Sequence, residues 1–376
     1  MNKKIFKLID VLCLVLLFGL VLAADFSLES YDLKVKVLQK GAVFALIAVS
    51  MNLLNGFTGL FSLGQAGFML LGAYTYAIFT IPVEDRLSVY KYYTVTAADG
   101  TELGGLVQFV LPVAVSIILA GLVAALFAFL IGLPVLRLKS DYLAIATLGF
   151  AEILRALCQW KGLGVITNGS NQLRMYPYFK SVLPYFLISG VCIAIIALLI
   201  RSTYGRAFKA IRDDEVAAEA MGINLTRHKT ISFVVSSFFA GVGGALFAMY
   251  QNTIQAKPFT TTLTYEILLI VVIGGIGSIS GSVLASFLYI ACSEWWLRFL
   301  DSGSFMGMSV PFFRDGFRKV VFSVVIMIIV LFFSRGIMGD KELSFSGMIR
   351  KARKRKASKE AKLPEKTEGK GDDTDA

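Results

Sequence analysis

Long apolar stretches alternate with short polar connections along most of this chain. A bilayer hydrocarbon core about 30 Å thick requires about 20 predominantly apolar residues per helix. The pattern therefore predicts an all-α, polytopic membrane protein. About ten transmembrane helices are predicted, at residues 7–25, 38–56, 61–80, 107–132, 141–158, 182–200, 229–250, 263–277, 281–299 and 318–335.

The positions of lysine and arginine orient these spans. Residues 201–229 and 350–359 are rich in basic side chains, which favours a cytoplasmic position for both. The chain must then cross the membrane an even number of times between them, so residues 263–299 must supply two passes joined at 274–281. Glycine permits the sharp turn that this connection needs. Three lysines precede an uncleaved first helix, so both termini are predicted to be cytoplasmic.

Composition agrees with this topology. Hydrophobic residues make up 56% of the 376 residues and charged residues 17%, whereas soluble chains average about 45–50% and about 25%. The net charge of +11 comes from the connections and the tail, so no nucleic acid partner is expected. We expect a transmembrane domain at 1–340 and a basic, disordered cytoplasmic tail at 341–376. The tail either contacts anionic membrane lipids or is only a topology signal.

The chain offers little for catalysis. Its single histidine, His228, lies in a basic connection and is interpreted as a solvated loop residue. The four cysteines lack the short spacing of a metal or redox site, and no G-x-x-x-x-G-K-[ST] phosphate loop occurs. We therefore predict no catalytic residues, no metal and no cofactor on this chain. If transport is driven by ATP, the ATPase must be another protein.

Few charges fall within the predicted spans. Glu152, Arg155 and Glu266 lie near span ends, and the first two are three residues apart, so they can pair on one helix face. Structural pairing is favoured over a proton relay. An ion-coupled carrier, which usually shows conspicuous intramembrane charges, is correspondingly disfavoured.

Small residues are dense at 56–67 and 240–245. Close helix packing explains the second segment, because small residues let helices approach in a bilayer. In and beside the first, Asn52, Asn55, Ser62 and Gln65 add polar groups that need partners away from lipid. A role in lining a cavity or an interface is as well supported there as simple packing.

The connection from Gly205 to Gly222 predicts a short helix that is too polar to span. Its alanine, glutamate, lysine and arginine content favours helix, and Gly222 suits a left-handed cap. Phe208, Ile211, Ala218 and Met221 recur at roughly helical spacing and predict a narrow apolar stripe. Such a helix can be a linker on the membrane surface, or it can dock into a groove of a soluble partner.

Five segments, in consistent order, resemble one family, the LivM-type permease subunits of bacterial branched-chain amino-acid ABC importers. They include Gly59-Leu-Phe-Ser-Leu-Gly-Gln-Ala-Gly67 within 59–74, the segment 141–155, Thr167-Asn-Gly-Ser-Asn171, the segment 205–223, and Gly274-Gly-Ile-Gly-Ser-Ile-Ser-Gly281. The general signature of these permeases, Glu-Ala-Ala-x-x-x-Gly, is matched by Ala217, Ala218 and Gly222, with Val216 at the glutamate position.

The resemblance implies an ABC importer permease fold and a role in moving leucine, isoleucine and valine across the bacterial cytoplasmic membrane. It implies four kinds of protein around the cargo: this chain, a second related permease, two ABC ATPase subunits that hold ATP and Mg, and an extracytoplasmic substrate-binding protein. Residues 205–222 become the coupling helix. ATPase contact is expected from Phe208, Arg212, Asp213, Glu215, Ala218 and Gly222. A path or interface role is expected from Asn55, Ser62, Gln65 and Thr147.

Two alternatives remain open. Urea and short-chain amide permeases resemble this family closely, so the machine can be the same with another cargo. A less favoured alternative is an ion-coupled secondary carrier working alone. An intramembrane enzyme is poorly supported, because one histidine and no catalytic constellation are present.

Overall fold

Helices dominate the computed structural model, which describes residues 33–96, 102–138 and 140–297, with short pieces at 304–305, 308–309, 320–324, 327, 331 and 336–339. These residues all fall in one compact unit, Val21–Glu342. The predicted span 7–25 and the tail 341–376 lie outside the described residues, and most of 318–335 does too. The parts of the predicted topology that rest on these segments, including the cytoplasmic position of both termini, therefore stay predictions.

The helices are numbered in chain order. They are α1 (Leu33–Asn52, continued by a π-helical turn, Leu53–Phe57), α2 (Gln65–Thr80), α3 (Val83–Val89), α4 (Val113–Val135), α5 (Ser140–Gln159), α6 (Gly164–Thr167), α7 (Leu183–Arg201), α8 (Thr203–Asp213), α9 (Glu215–Ala220), α10 (Leu225–Gln251), α11 (Thr261–Gly274) and α12 (Ile279–Ile290, continued by a π-helical turn, Ala291–Trp295). A 3₁₀ turn, Lys161–Leu163, precedes α6. Two antiparallel hairpins pair β1 (Thr94–Thr96) with β2 (Glu102–Gly104) and β3 (Ser304–Phe305) with β4 (Met308–Ser309).

Five of the described helices are long and apolar enough to cross a membrane: Leu33–Phe57, Val113–Val135, Tyr142–Gln159, Leu183–Arg201 and Leu225–Gln251. Two shorter apolar helices, Thr261–Gly274 and Ile279–Trp295, accompany them. The prediction of a helical, multi-pass membrane protein is confirmed, while the total of ten spans is not established by these residues.

Helices α1 and α10 form the centre of the bundle. In the most apolar part of each helix, 89% of the positions are buried in α1 and 78% in α10, but only 22% in α7. Helix α10 packs against α2, α4 and α1, and α12 packs against α1. The outward faces of α4 and α7 therefore remain for lipid or for another membrane protein.

Close approach of α2 and α10 depends on glycine. A Cβ added to Gly72 of α2 would overlap the backbone of Gly241 in α10, and one added to Gly244 would overlap the Met69 carbonyl. The helices touch backbone to backbone at these points. The packing role predicted for the small residues at 240–245 is thus seen directly.

The predicted turn at 274–281 is also present. Helix α11 ends at Gly274 and α12 begins at Ile279. Gly275 and Gly277 have φ values of +116° and +88°, a region that glycine adopts without steric strain. A Cβ on Gly281 would overlap Gly274, so the two helices diverge from a contact that only glycine allows.

Two spans begin later than predicted. Residues 61–64 are not helical, and α2 starts at Gln65 because the chain first passes Gly59 at φ +76°. Helix α4 starts at Val113 rather than at 107, since Pro112 precedes it with φ −57° and proline is favoured at a helix start. We call the end of the bundle that carries α8 and α9 the inner end, and the opposite end the outer end.

Candidate functional site

The connection between α7 and α10 folds as two helices instead of the single helix predicted for 205–222. Asp214 is extended, with φ −161°, and its side chain accepts hydrogen bonds from the backbone N–H groups of Val216 and Ala217. Aspartate is a preferred N-cap residue. The cap starts α9 afresh and turns it away from α8, so the prediction of one continuous helix is wrong at this residue.

Gly222 ends α9 as predicted. Its φ is +84°, its N–H donates to the Glu219 carbonyl, and the Ile223 N–H donates to the Ala218 carbonyl. This pair of bonds is a Schellman motif, which satisfies the last carbonyls of a helix.

The six residues expected to contact an ATPase divide into two groups. Phe208 and Ala218 are buried, at 0% and 3% exposure, where they pack α8 and α9 onto the inner end of the bundle. Arg212, Asp213, Glu215 and Gly222 are exposed. Of these, Glu215 accepts a bond from Lys229 Nζ at 2.6 Å.

Two exposed apolar side chains on α9 and its cap were not predicted as contacts. Val216 is 78% exposed and Met221 is 83% exposed. Met221 was expected on one apolar stripe with Phe208, Ile211 and Ala218, but the break at Asp214 interrupts that spacing. The other three side chains are buried, whereas Met221 faces outward. The sequence contained one indication that Val216 differs from its counterparts in the family: it stands at the glutamate position of the Glu-Ala-Ala-x-x-x-Gly signature.

Arg212 ties this surface to the membrane helices. Its Nη1 donates to the Gly56 carbonyl in the π-helical turn after α1, at 3.1 Å, while Nε and Nη2 donate to Asp213 Oδ1. The position of a Cβ on Gly59 would be 2.9 Å from Arg212 Cγ, so the arginine crosses directly over that glycine. An exposed residue of α8 is therefore bonded to the core of the bundle.

Asn52 joins that same part of α1 to the turn between α11 and α12. Its Nδ2 donates to the carbonyls of Gly275 and Ser278 and to Ser282 Oγ, and its Oδ1 accepts from the Gly277 N–H at 2.8 Å. The side chain is fully buried. The sequence predicted that Asn52 needs partners away from lipid, and these bonds supply them, but Asn52 was not among the four residues predicted for a path or interface.

Replacing Asn52 with leucine is expected to lower the thermal unfolding midpoint of the detergent-solubilised protein clearly. The change leaves the half-buried Gly277 N–H without its partner, and an unsatisfied buried donor costs up to about 1–3 kcal/mol. Asn171→Leu is the matched control, because the Asn171 side chain makes no hydrogen bond within the described part of the chain. Equal midpoints for the two variants would show that the Asn52 bonds contribute little.

The four residues predicted for a path or interface are all hydrogen-bonded near the start of α2. Asn55 and Ser62 bond reciprocally, through Asn55 Nδ2 to the Ser62 carbonyl and the Ser62 N–H to Asn55 Oδ1. Thr147 Oγ1 accepts from the Leu63 N–H at 3.0 Å, so α5 joins this group. Gln65 Nε2 donates to Ser50 Oγ of α1. Ser62, Gln65 and Thr147 are buried and Asn55 is half-buried. Their role in a path or interface stays a prediction.

Ion pairs join charged residues within the membrane helices that the structure describes, and two of them bear on the predictions. Arg155 bonds Glu152 through Nε at 2.7 Å, as predicted from their spacing. Lys40 of α1 pairs with Glu294 in the π-helical turn after α12. This second pair was not predicted, although both residues fall inside predicted spans, where charges are rare.

The interpretation of His228 as a solvated loop residue is wrong, because it lies in α10, is half-buried and packs its ring near Tyr204 and Phe208. Its Nδ1 lies 2.8 Å from the Asn224 carbonyl, within the first turn of α10. Among the residues the structure describes, no three histidine, cysteine, aspartate or glutamate side chains are grouped so that they could hold a metal ion.

The outer end is held by a buried arginine and a buried tyrosine. Arg86, only 2% exposed, donates to the carbonyls of Ile78, Ile81 and Phe109, so it closes the end of α2. Burial raises the pKa of Tyr90 to about 12. The hydroxyl thus stays protonated and donates to the Ile166 carbonyl at 2.8 Å.

Residues 34–333 match the family model described as branched-chain amino acid transport system / permease component. The high-affinity branched-chain amino acid transport system permease protein LivM of Salmonella typhimurium is 32% identical over 287 residues, which are 67% of this chain and 61% of that protein. The probable LivM of Methanocaldococcus jannaschii is 23% identical over 84% of this chain and 95% of its own length. LivH of Salmonella typhimurium is 25% identical over 42% of this chain and 47% of its own. No solved structure matches the chain significantly.

Proposed function

Because this chain belongs to the family of branched-chain amino acid transport system permease components, we propose that it forms half of an ATP-driven pathway for leucine, isoleucine and valine. The chain spans 61% of the length of the Salmonella relative, so the whole assembly is part of the proposal. It comprises a second related permease, two ABC ATPase subunits and an extracytoplasmic substrate-binding protein in the bacterial cytoplasmic membrane. ATP and Mg bind to the ATPases, and this chain is a transport subunit without an enzymatic role.

The observation that carries this function is the bond from Arg212 to the Gly56 carbonyl. It connects an exposed helical surface at the inner end to the helix at the centre of the bundle. An ATPase subunit bound to α8 and α9 would transmit its movement to α1 through this bond.

The same connection continues beyond α1. Gly56 lies one turn after Asn52, and Asn52 bonds the turn between α11 and α12. A displacement of α8 can therefore reach three membrane helices as a rigid-body shift, which is a common form of switching transition. Lys209, whose Nζ lies 5.6 Å from the centre of the Phe57 ring, adds a second contact along the route.

We assign the contacts with the ATPase to the exposed part of α8 and α9. Val216 and Met221 supply the apolar centre, and Arg212, Asp213 and Glu215 form its charged rim. Phe208 and Ala218 hold the surface in place from beneath, and Gly222 shapes its end. This arrangement, with an apolar centre and a polar rim, is typical of protein interfaces.

A carrier driven by an ion gradient is disfavoured by the pairing of intramembrane charges. Lys40 with Glu294 and Arg155 with Glu152 each form a locally neutral pair, which leaves no net charge at either place to bind a coupling ion. Urea or a short-chain amide remains the alternative cargo, since the same kind of transporter carries these compounds and branched-chain amino acids.

The proposed function is tested by uptake into vesicles. Vesicles that hold the assembled transporter, internal ATP and the external binding protein should accumulate radiolabelled leucine. Vesicles that hold only this chain should accumulate none, with or without a proton or sodium gradient. Gradient-driven uptake by the chain alone would overturn the proposal. Uptake of urea in place of leucine would show that the cargo is urea and not a branched-chain amino acid.

A further inference from the structure

A pocket lined mainly by residues with polar side chains opens at the outer end of the bundle. It has a volume of about 310 Å³, at the small end of the range for ligand sites. Three segments form it: the end of α5, the loop after α6, and the connection between α10 and α11. Its lining residues are Arg155, Gln159, Ser170, Gln255, Ala256 and Lys257.

The pocket carries an excess of positive charge. Arg155 uses Nε and Nη2 to bond Glu152, and a guanidinium has five N–H donors, so about three remain for a ligand. Lys257 is exposed and has no hydrogen-bonding partner within the described residues. Together Glu152, Arg155 and Lys257 carry one net positive charge. A single carboxylate would neutralise that charge, and hydrogen bonds between charged groups are the stronger ones.

The walls of the pocket are held in place by hydrogen bonds. Leu173 and Ile254 form a reciprocal backbone pair, with bonds of 2.9 and 3.0 Å, which joins the loop after α6 to the connection after α10. Gln255 Nε2 also donates to the Ser170 carbonyl at 3.4 Å. The two chain segments that bear Ser170 and Lys257 are therefore positioned before any ligand arrives, which lowers the cost of binding.

The loop that carries Ser170 is itself anchored. Asn168 is buried, adopts φ +60°, and donates from Nδ2 to the carbonyls of Val89 and Gln172. Across the pocket, the Gln159 amide has no side-chain partner within the residues the structure covers. Its oxygen can accept a hydrogen bond from an ammonium group, and the Ser170 side chain lines the pocket beside it.

We propose that this pocket is an outer binding site for a free α-amino acid, whose carboxylate lies between Arg155 and Lys257. The ammonium group would face the amide oxygen of Gln159. This inference rests on the proposed function and deepens it, since it gives the cargo a stopping point on the permease itself. The same carboxylate chemistry could come from an acidic side chain of a docked protein, and the test separates the two sources.

The test uses Ser170→Cys in the assembled transporter, in vesicles without ATP. Ser88→Cys is the matched control, because Ser88 is an exposed serine of α3 at the outer end but does not line the pocket. Labelling of the unmodified transporter is subtracted. A membrane-impermeant anionic methanethiosulfonate and its cationic counterpart are compared at both positions. We expect the anionic reagent to be favoured at position 170 relative to position 88.

L-leucine at about 1 mM, a concentration that suits a weak site, should slow labelling at position 170 but not at position 88. L-leucinamide, which lacks the carboxylate, should need about tenfold more for the same protection, because the charged hydrogen bonds are lost. Adding Lys257→Gln to Ser170→Cys should weaken leucine protection by about tenfold and leave leucinamide protection unchanged.

Three results would overturn the inference: equal protection by leucine and leucinamide, no protection by leucine, or protection that appears only when the binding protein is added. The last would assign the carboxylate to the docked protein. Leucine uptake is measured on the same vesicles with ATP. Uptake without protection rejects the pocket alone, whereas protection without uptake rejects the proposed transport function alone.

Discussion

Replacing both Val216 and Met221 with aspartate abolishes ATP-driven leucine uptake and leaves the permease folded. The two side chains are 78% and 83% exposed, so the change removes no internal packing. In the assembled transporter they would be desolvated against the ATPase. Burying two unpaired carboxylates costs several kcal/mol, which is enough to dissociate the ATPase subunits from the permease.

Retention of the ATPase subunits during purification and stimulated ATP hydrolysis measure this effect. We expect both to fall at least about tenfold, which corresponds to about 1.4 kcal/mol. Val83→Asp with Leu87→Asp is the matched control, because these two apolar residues are also exposed, at 45% and 47%, but lie on α3 at the outer end. If the aspartate pair at 216 and 221 retains the ATPases as well as the control does, the docking surface lies elsewhere.

Replacing Gly72 with valine prevents α2 and α10 from packing, so little folded protein is expected. The new side chain would begin with a Cβ that overlaps the Gly241 backbone. Overpacking a core usually costs about 1–3 kcal/mol when side chains can move aside. Here the obstacle is the backbone of a central helix, so the cost should exceed that range.

Gly190→Val is the control for this change. Gly190 lies in the membrane helix α7, and a Cβ there meets nothing within 4 Å. Both variants carry the same intrinsic cost of a β-branched residue in a helix. The yield of monodisperse protein and its thermal unfolding midpoint should fall sharply for Gly72→Val only. A normal yield and midpoint for that variant would mean that α2 and α10 are further apart than described.

The connections at the outer end contain structure that local sequence patterns did not predict. The connection between the predicted spans 61–80 and 107–132 contains α3 and the β1–β2 hairpin, and its Arg86 closes the end of α2. That arginine is buried because it bonds three carbonyls, and the most distant of them, on Phe109, lies 23 positions away. Nothing in its immediate neighbours distinguishes it from a solvated loop arginine.

The connection between α7 and α10 shows the complementary case. Its helix content and the cap at Gly222 followed from residue types and spacing. The break did not, because Asp214 is compatible with either a helix interior or an N-cap. The choice depends on how α8 and α9 lie on the bundle, and it decides that Met221 faces outward.

The sequence by itself determined the class of protein, the helical spans that are described, the glycine turn at 274–281 and the family. These features depend on local quantities: the length of apolar runs, the placement of basic residues, and motifs that recur in order. Only the tertiary structure decided which polar groups become partners. Arg212 and Gly56 are 156 positions apart and Asn52 and Gly277 are 225 apart, and the outer pocket is assembled from three separate segments. Such contacts depend on how the helices pack in space, which no local pattern encodes.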